Sequence, residues 1–398
     1  MRRTEYTFAV LALVSLSFVA ACNDSAGPTS LPMGTIELTT ATTGPNPDPD
    51  GYTVRLERVL SDTSALAPAS GTVSVAVPVG QYSVWLQGVA LNCAGVGEHG
   101  LEPSEVYVSA GATVALSLAV TCASSPASQL AFVRAGRIYR VHADGTGLVR
   151  LTNGSLAGEP AWSPDGQRIA FTRGYATTPG YGLRWEVHVM DADGLHDVRR
   201  TSADVASAPA WSPDGRSIAF SSYPLGGGSS DVYVMSADDD GASPRNVTGE
   251  DSWDGEPSWS PDGASIAFSS SRPPTSELTD IFVTSPDGPP ATRLTQAGAD
   301  GSRVNYSGPA WSPDGRKLAV STCLFDDGDR CDPATISVMS ADGSGLTVLV
   351  PTEGWGPTWS PDGRTIAFVS AGSIGWVTVD GGERGVIVAD GYSPAWRP

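Results

Sequence analysis

Trp162-Ser163-Pro164-Asp165-Gly166 recurs four more times, at Trp211–Gly215, Trp259–Gly263, Trp311–Gly315 and Trp359–Gly363. A sixth, broken copy, Pro394-Ala395-Trp396-Arg397-Pro398, lies at the end of the sequence. The six tryptophans are spaced 49, 48, 52, 48 and 37 residues apart. A period of this size signals an array of equivalent supersecondary units, each unable to bury its own apolar face. An apolar triplet follows each complete copy: Ile169-Ala170-Phe171, Ile218-Ala219-Phe220, Ile266-Ala267-Phe268, Leu318-Ala319-Val320 and Ile366-Ala367-Phe368.

One unit reads as four strands in about 48 residues, the content of a propeller blade. After the triplet come a variable loop, a strand such as Glu186–Met190 or Asp231–Met235, an Asp-Gly turn, and a strand ending in Leu-Thr or Val-Thr. Proline presets φ for the first turn, Asp bonds backbone amides, and Gly supplies the positive φ that closes the hairpin. The repeated Asp residues are therefore turn formers rather than catalytic carboxylates. Trp162, Trp211, Trp259, Trp311, Trp359 and Trp396 offer apolar surface to the neighbouring unit. The array starts at Leu130-Ala131-Phe132, without a Trp strand, and finishes on Pro394–Trp396, without a successor. Placing the last strand in the first blade gives six blades and a closed ring.

The repeat resembles the TolB-type propeller, also called WD40-like or PD40, over residues 129–398. The resemblance implies a six-bladed propeller in the periplasm or at the cell envelope. In TolB itself an α/β domain precedes the propeller. Here residues 34–122 carry β-rich runs at Thr35–Thr40, Tyr52–Glu57, Gly71–Val77, Tyr82–Gly88, Glu105–Ser109 and Thr113–Val120. About seven strands in that length predict a small antiparallel β-sandwich. It resembles immunoglobulin-like or carboxypeptidase-regulatory-like modules, and its presence puts the TolB partner set in doubt. The expected fold class is all-β, a sandwich followed by the propeller, with a linker at 123–128.

Arg2 and Arg3 precede an apolar run, Phe8–Ala21, too short to span a bilayer and suited to an export signal. Val19-Ala20-Ala21-Cys22 resembles the bacterial lipobox. That resemblance implies cleavage after residue 21 and acylation of Cys22, with 22–33 a small, polar, breaker-rich tether. The alternative is an ordinary signal peptide with a chance cysteine. Asn23 resembles the residue of lipoproteins sent to the outer membrane, so the expected location is its periplasmic face or the cell surface.

The chain has 24 basic and 43 acidic residues. Losing residues 1–21 removes Arg2, Arg3 and Glu5 and leaves a net charge of −20. Such a body repels nucleic acid and anionic lipid headgroups. Among the remaining cysteines, Cys93 with Cys122 and Cys323 with Cys331 make two local disulfides in an oxidising compartment.

No nucleophile elbow, metalloprotease helix, P-loop or dinucleotide fingerprint occurs, so no catalytic residue and no cofactor is assigned. Propellers of this type also occur in prolyl oligopeptidases, with a hydrolase domain absent here, and in oligogalacturonate lyases, with histidine-rich metal sites. His188 and His196 are the nearest histidine pair, and a packed or solvated role is the simpler reading. Asn46, Asp48, Asp50 and Glu57 approach the spacing of a calcium loop, against an acidic interstrand loop as the plainer alternative. Asp326-Asp327-Gly328-Asp329 with Asp332 divides the same way.

Blade-to-blade loops and the loops between second and third strands emerge on one side, which carries the variation: 173–184, 221–230, 269–279 and 321–333. Binding belongs there. Glu159, Trp253, Asp254, Glu256, Tyr306, Trp355 and Tyr392 are placed around the channel mouth, a set suited to a peptide, a basic protein loop or a glycan. The expectation is a monomeric, non-enzymatic scaffold for an envelope protein or peptide. The alternative is a glycan-binding or polysaccharide-cleaving propeller.

Overall fold

The computed structural model describes residues 31–398 except 49–50, 59–60, 96–102, 124–127, 155, 177–182, 202–204, 224–227, 239–243, 250–251, 274–277, 298–302 and 326–330. Among the described residues every regular element is a strand, and no helix is long and apolar enough to cross a membrane. The signal, Cys22 and the tether up to residue 30 lie outside them, as do Asp50 and the acidic stretch 326–330, while Met33, expected at the end of the tether, already belongs to the first strand.

The N-terminal unit has eight strands: β1 Met33–Thr43, β2 Tyr52–Arg58, β3 Ser61–Ala67, β4 Gly71–Pro78, β5 Gly80–Gln87, β6 Cys93–Gly95, β7 Ser104–Val108 and β8 Thr113–Cys122. They form two four-stranded sheets, ordered β4-β1-β8-β6 and β3-β2-β5-β7. The sequence reading missed β3 and β6. It also expected antiparallel pairing throughout, whereas β1 and β8 run parallel, with Ile36 opposite Val114 and Leu38 opposite Leu116. First and last strands can lie side by side this way because the whole unit serves as their crossover. Ile36, Leu38, Val54, Leu56, Val84 and Leu86 fill the core between the sheets. Cys93 sits directly opposite Cys122 in the β6–β8 register and is disulfide-bonded to it. Cys323 is buried and also disulfide-bonded, while the side chain of Cys331 is outside the described residues.

Residues 129–398 form six four-stranded antiparallel sheets, here sheets I to VI. Sheet II runs in chain order through Ala157–Trp162, Arg168–Ala176, Leu183–Asp191 and Val198–Arg199. The inner strands of sheets III to VI are Val205–Trp211, Asp254–Trp259, Val304–Trp311 and Trp355–Trp359. Sheet I is made differently: its inner strand is Tyr392–Trp396, pairing Trp396 with Leu130 and Ala395 with Ala131. That last strand also contacts the inner strands of sheets II and VI.

The repeat residues do what their chemistry suggests. In all five copies the Ser hydroxyl donates to the Asp carboxylate at 2.5–2.7 Å, and the amide two residues after the Asp donates to the same oxygen at 3.0–3.1 Å. The Ser hydroxyl bond, then that amide, hold Asp165, Asp214, Asp262, Asp314 and Asp362 below the usual carboxylate range. Trp211 Nε1 donates to Ala161 O, Trp359 Nε1 to Ala310 O, and Trp162 Nε1 to Ala395 O, each reaching the preceding sheet.

The two units dock on each other along the outer strands of sheets I and II. Arg140, fully buried, donates to the carbonyls of Val89, Ala90 and Cys93, and burial lowers its guanidinium to about 10. Arg150 donates to Glu57 at 2.6 Å and stacks over Trp85 at 4.3 Å. Gln87 donates to the carbonyls of Leu151 and Gly194.

Candidate functional site

Each inner strand carries the same irregularity, a break in pairing register three residues before its Trp. The residues there are Glu159, Ala208, Glu256, Gly308, Gly356 and Ser393, all with φ between 49° and 59°. For a side chain with a Cβ this left-handed backbone costs roughly 1–3 kcal/mol and persists only where the surroundings impose it. The bulge turns each inner strand and leaves one backbone N–H without a ladder partner.

Side chains from the preceding sheet supply the partner. Ser221 Oγ accepts from Glu256 N–H at 3.0 Å, Ser269 Oγ from Gly308 N–H at 3.1 Å, and Ser321 Oγ from Gly356 N–H at 3.0 Å. Glu159 accepts from Ala208 N–H at 2.8 Å, and the Thr172 hydroxyl also bonds its carboxylate. Glu256 accepts from Gly308 N–H at 2.8 Å and from Ser269 Oγ at 2.7 Å. Burial first, and then the charge of Glu256, push the Glu159 carboxyl above its ordinary value.

One residue earlier stand Tyr392, Gly158, Ser207, Gly255, Ser307 and Trp355, in sheets I to VI. Four are small and two are large aromatics, and the aromatics are adjacent because sheets VI and I are neighbours. Tyr392 is 43% and Trp355 45% exposed, so both rings face solvent at the mouth. Trp253, also exposed, lies on the backbone of Gly255, where an added Cβ would stand 2.9 Å from the ring.

A cavity of about 430 Å³ opens where sheets I, II and III meet at the mouth. Glu159 and Thr172 supply its polar groups, and Leu156, Trp185, Tyr223 and Tyr392 its apolar walls. The structure thus brings Glu159 and Tyr392 into one cavity. Trp185 and Tyr223 were missed in the sequence because they sit at strand ends beside the variable loops, outside the repeated pattern.

Two of the seven candidate residues are placed differently from expectation. Asp254 is fully buried and accepts from Arg272 at 2.8 Å and Ser252 at 3.3 Å, so it is a core ion pair rather than a mouth residue. Tyr306 is half-buried and packs against the cluster of Leu318 and Val320. His188 Nδ1 donates to Asp197 at 2.6 Å and its Nε2 lies 2.8 Å from the Tyr175 hydroxyl, while His196 pairs with Asp191. Of the calcium-loop residues, Glu57 is bound to Arg150 and to Gly154 N–H, and Asp48 accepts from Ala90 N–H at 3.0 Å. Glu57 therefore faces the propeller instead of the loop containing Asp48. Among the described residues no three His, Cys, Asp or Glu side chains converge as metal ligands.

The family model described as TolB beta propeller domain (PD40) matches residues 186–308. TolB from Acinetobacter baumannii is similar in structure, with 19% identity, coverage of 81% of this chain and 80% of that one, and a TM-score of 0.56. A putative TolB from Agrobacterium tumefaciens shares 23% identity over 66% of this chain and 89% of its own, with a TM-score of 0.49. Hydrazine synthase from Kuenenia stuttgartiensis aligns at 18% identity over 69% of this chain and 47% of its own, with a TM-score of 0.56. No curated protein matches the chain. At these identities the structural likeness speaks for the fold, and with the family match and the repeat geometry it gives one assignment: the chain carries a TolB-type β-propeller.

Proposed function

We propose that the protein is a non-enzymatic scaffold of the cell envelope whose propeller binds a protein or peptide at the channel mouth. The observation that carries this reading is the adjacent pair Trp355 and Tyr392, exposed at equivalent positions beside a cavity with Glu159 at its polar end. Exposed aromatics at the centre of a concave surface are the usual anchors of a binding face. A binding role also accords with His188, whose two ring nitrogens are taken up by Asp197 and Tyr175.

In the same proposal, residues 34–122 are a β-sandwich, 123–128 a linker and 129–398 a six-bladed ring closed by the C-terminal strand. The pairing of Trp396 with Leu130 and the contacts of Tyr392–Trp396 with sheets II and VI support closure. Residues 1–21 are a lipoprotein signal, and acylated Cys22 tethers the body to the membrane, at the periplasmic face of the outer membrane or the cell surface.

Crosslinking of the full chain in envelope extract, followed by capture, tests the scaffold. Replacing Trp253, Trp355 and Tyr392 together by Ala should abolish the specific crosslinks, and an unchanged crosslink pattern would place the interface elsewhere. The hydroxyls of Thr172 and Ser207 near the aromatic rings also suit a glycan. A glycan array with a reducing-end assay separates that second reading from the first.

A further inference from the structure

We infer that the cavity at the mouth of the channel recognises a cationic group, a primary ammonium or guanidinium on a peptide partner, held between the Glu159 carboxylate and the rings of Tyr392, Tyr223 and Trp185. The inference rests on the binding reading above and specifies its chemistry.

The first argument is charge compensation. The fully buried acids of the propeller each meet an arginine, Asp254 with Arg272 at 2.8 Å, Asp280 with Arg293 at 2.5 Å, and Glu186 with Arg184, whereas Glu159 and Glu256 are half-buried. Glu159 and Glu256 have no basic side chain within ion-pair distance among the described residues. Their hydrogen-bond partners are backbone N–H groups and hydroxyls, which satisfy oxygen lone pairs without neutralising charge. An ionised carboxylate drawn out of water and left uncompensated is costly, and a ligand cation would remove that cost.

The second argument is redundancy. The bulge does not need a carboxylate in front of it. Among the described residues Gly356 N–H donates to Ser321 Oγ alone, and Gly308 N–H donates to Ser269 Oγ in addition to Glu256. The equivalent positions in sheets III, V, VI and I are Ala208, Gly308, Gly356 and Ser393. Glycine or a small residue therefore builds the same turn, and at Glu159 a side chain with a Cβ holds a left-handed φ of 49° as well. At Ala208 the acceptor is Glu159 itself, a role that a neutral serine hydroxyl fills for Glu256, Gly308 and Gly356, so the architecture calls for an oxygen there but not for its charge.

The third argument is what surrounds the acid. Tyr223 is 44% exposed and lines the same cavity as Tyr392 and Trp185. Aromatic faces attract cations through the ring quadrupole, most strongly where water is partly excluded. A neutral sugar would gain from the rings but nothing from the uncompensated charge, so the combination favours a cation.

The test is calorimetry on the full chain with three probes: tri-lysine, triglycine and maltohexaose. Tri-lysine should bind and triglycine should not. Glu159→Gln should weaken tri-lysine binding by about tenfold or more, the effect of losing one charge-assisted contact. Tyr223→Leu, which leaves Glu159 and its bonds intact, should weaken it by a few-fold. The pair Glu37→Gln and Glu105→Gln removes two exposed charges from the N-terminal unit and should leave affinity unchanged. Equal loss in that control, no loss in Glu159→Gln, or maltohexaose binding in place of tri-lysine would overturn the inference. If tri-lysine fails while crosslinking still depends on Trp355 and Tyr392, the cationic assignment falls and the scaffold reading stands. If tri-lysine binds through Glu159 while crosslinking is indifferent to Trp355 and Tyr392, the reverse holds.

Discussion

The Glu159 carboxylate accepts the backbone N–H of Ala208 at 2.8 Å, so one acid joins the inner strands of sheets II and III beside the cavity they share. Its pKa is raised above 4.5, chiefly by burial. The sign follows directly. The folded state holds this proton more tightly than the unfolded state, so the contribution is complete below about pH 4.5 and is lost as pH rises through the higher folded value. Glu159→Gln keeps an acceptor oxygen and carries no charge. It should melt higher than the native chain at pH 8 and no higher at pH 4; a change of about 1 kcal/mol corresponds to ~2–4 °C. A melting difference independent of pH would show that the carboxylate is not strained by its site.

How far the sequence leads depends on whether an interaction repeats. Trp-Ser-Pro-Asp-Gly is legible because each residue acts within its own turn, and the Ser163–Asp165 bond recurs in every copy. Glu159 and Tyr392 could be placed at the mouth from their offset to Trp162 and Trp396. Asp254, five residues before Trp259 rather than three or four, is misread, because Arg272, eighteen residues on and outside any pattern, draws it into the core. Strand β3 escapes notice because Ser61-Asp62-Thr63-Ser64 has no apolar alternation; it is an edge strand paired on one side only, to β2. Trp185 and Tyr223 join the cavity only through the packing of three sheets.

The contact between the two units should respond to acid. Burial alone would raise the Glu57 carboxyl, but the hydrogen bond from Arg150, with Gly154 N–H and the charge of Arg137, outweighs it and holds the group below its ordinary value. Its contribution is therefore present above about pH 4.5 and lost as pH falls through the lower folded value. Glu57→Gln should destabilise the chain by about 2–4 kcal/mol at pH 7, since Arg150 is left buried over Trp85 without its counter-charge. Denaturant titrations at pH 7 and pH 3 check it, and an equal penalty at both would reject the ion pair as the cause.

Deleting residues 391–398 should unseat sheet I. The deletion removes one of the two strands paired with Gln129–Arg134, exposes Leu130 and Phe132, and takes away the Ala395 carbonyl bonded by Trp162 Nε1. Uncovering that much apolar surface costs on the order of 5 kcal/mol, or about 10 °C in melting temperature. Calorimetry of the truncated chain checks the expectation, and an unchanged melting temperature would remove the C-terminal strand from any part in closing the propeller.

The Leu-Thr and Val-Thr ends of the outer strands make a last prediction. Thr152, Thr201, Thr248 and Thr295 each accept, through Oγ1, the N–H of Ile138, Val187, Val232 and Ile281 at 2.8–3.0 Å. In sheets V and VI the corresponding residues are Val350 and Val388, which have no hydroxyl. There the outer strands, Thr347–Val350 and Arg384–Val388, extend to the position itself, and the backbone pairs Val350 with Ile336 and Val388 with Ile374. Sheet III has only Arg245–Asn246 as its outer strand, so it lacks that substitute. Thr248→Val leaves the Val232 N–H buried without an acceptor and should cost about 1–3 kcal/mol. Val348→Thr, at an exposed position of a strand whose backbone already pairs, should change stability by less than about 0.5 kcal/mol. Urea unfolding of the two variants decides it: equal effects would mean that the threonine hydroxyl is not what secures the outer strand.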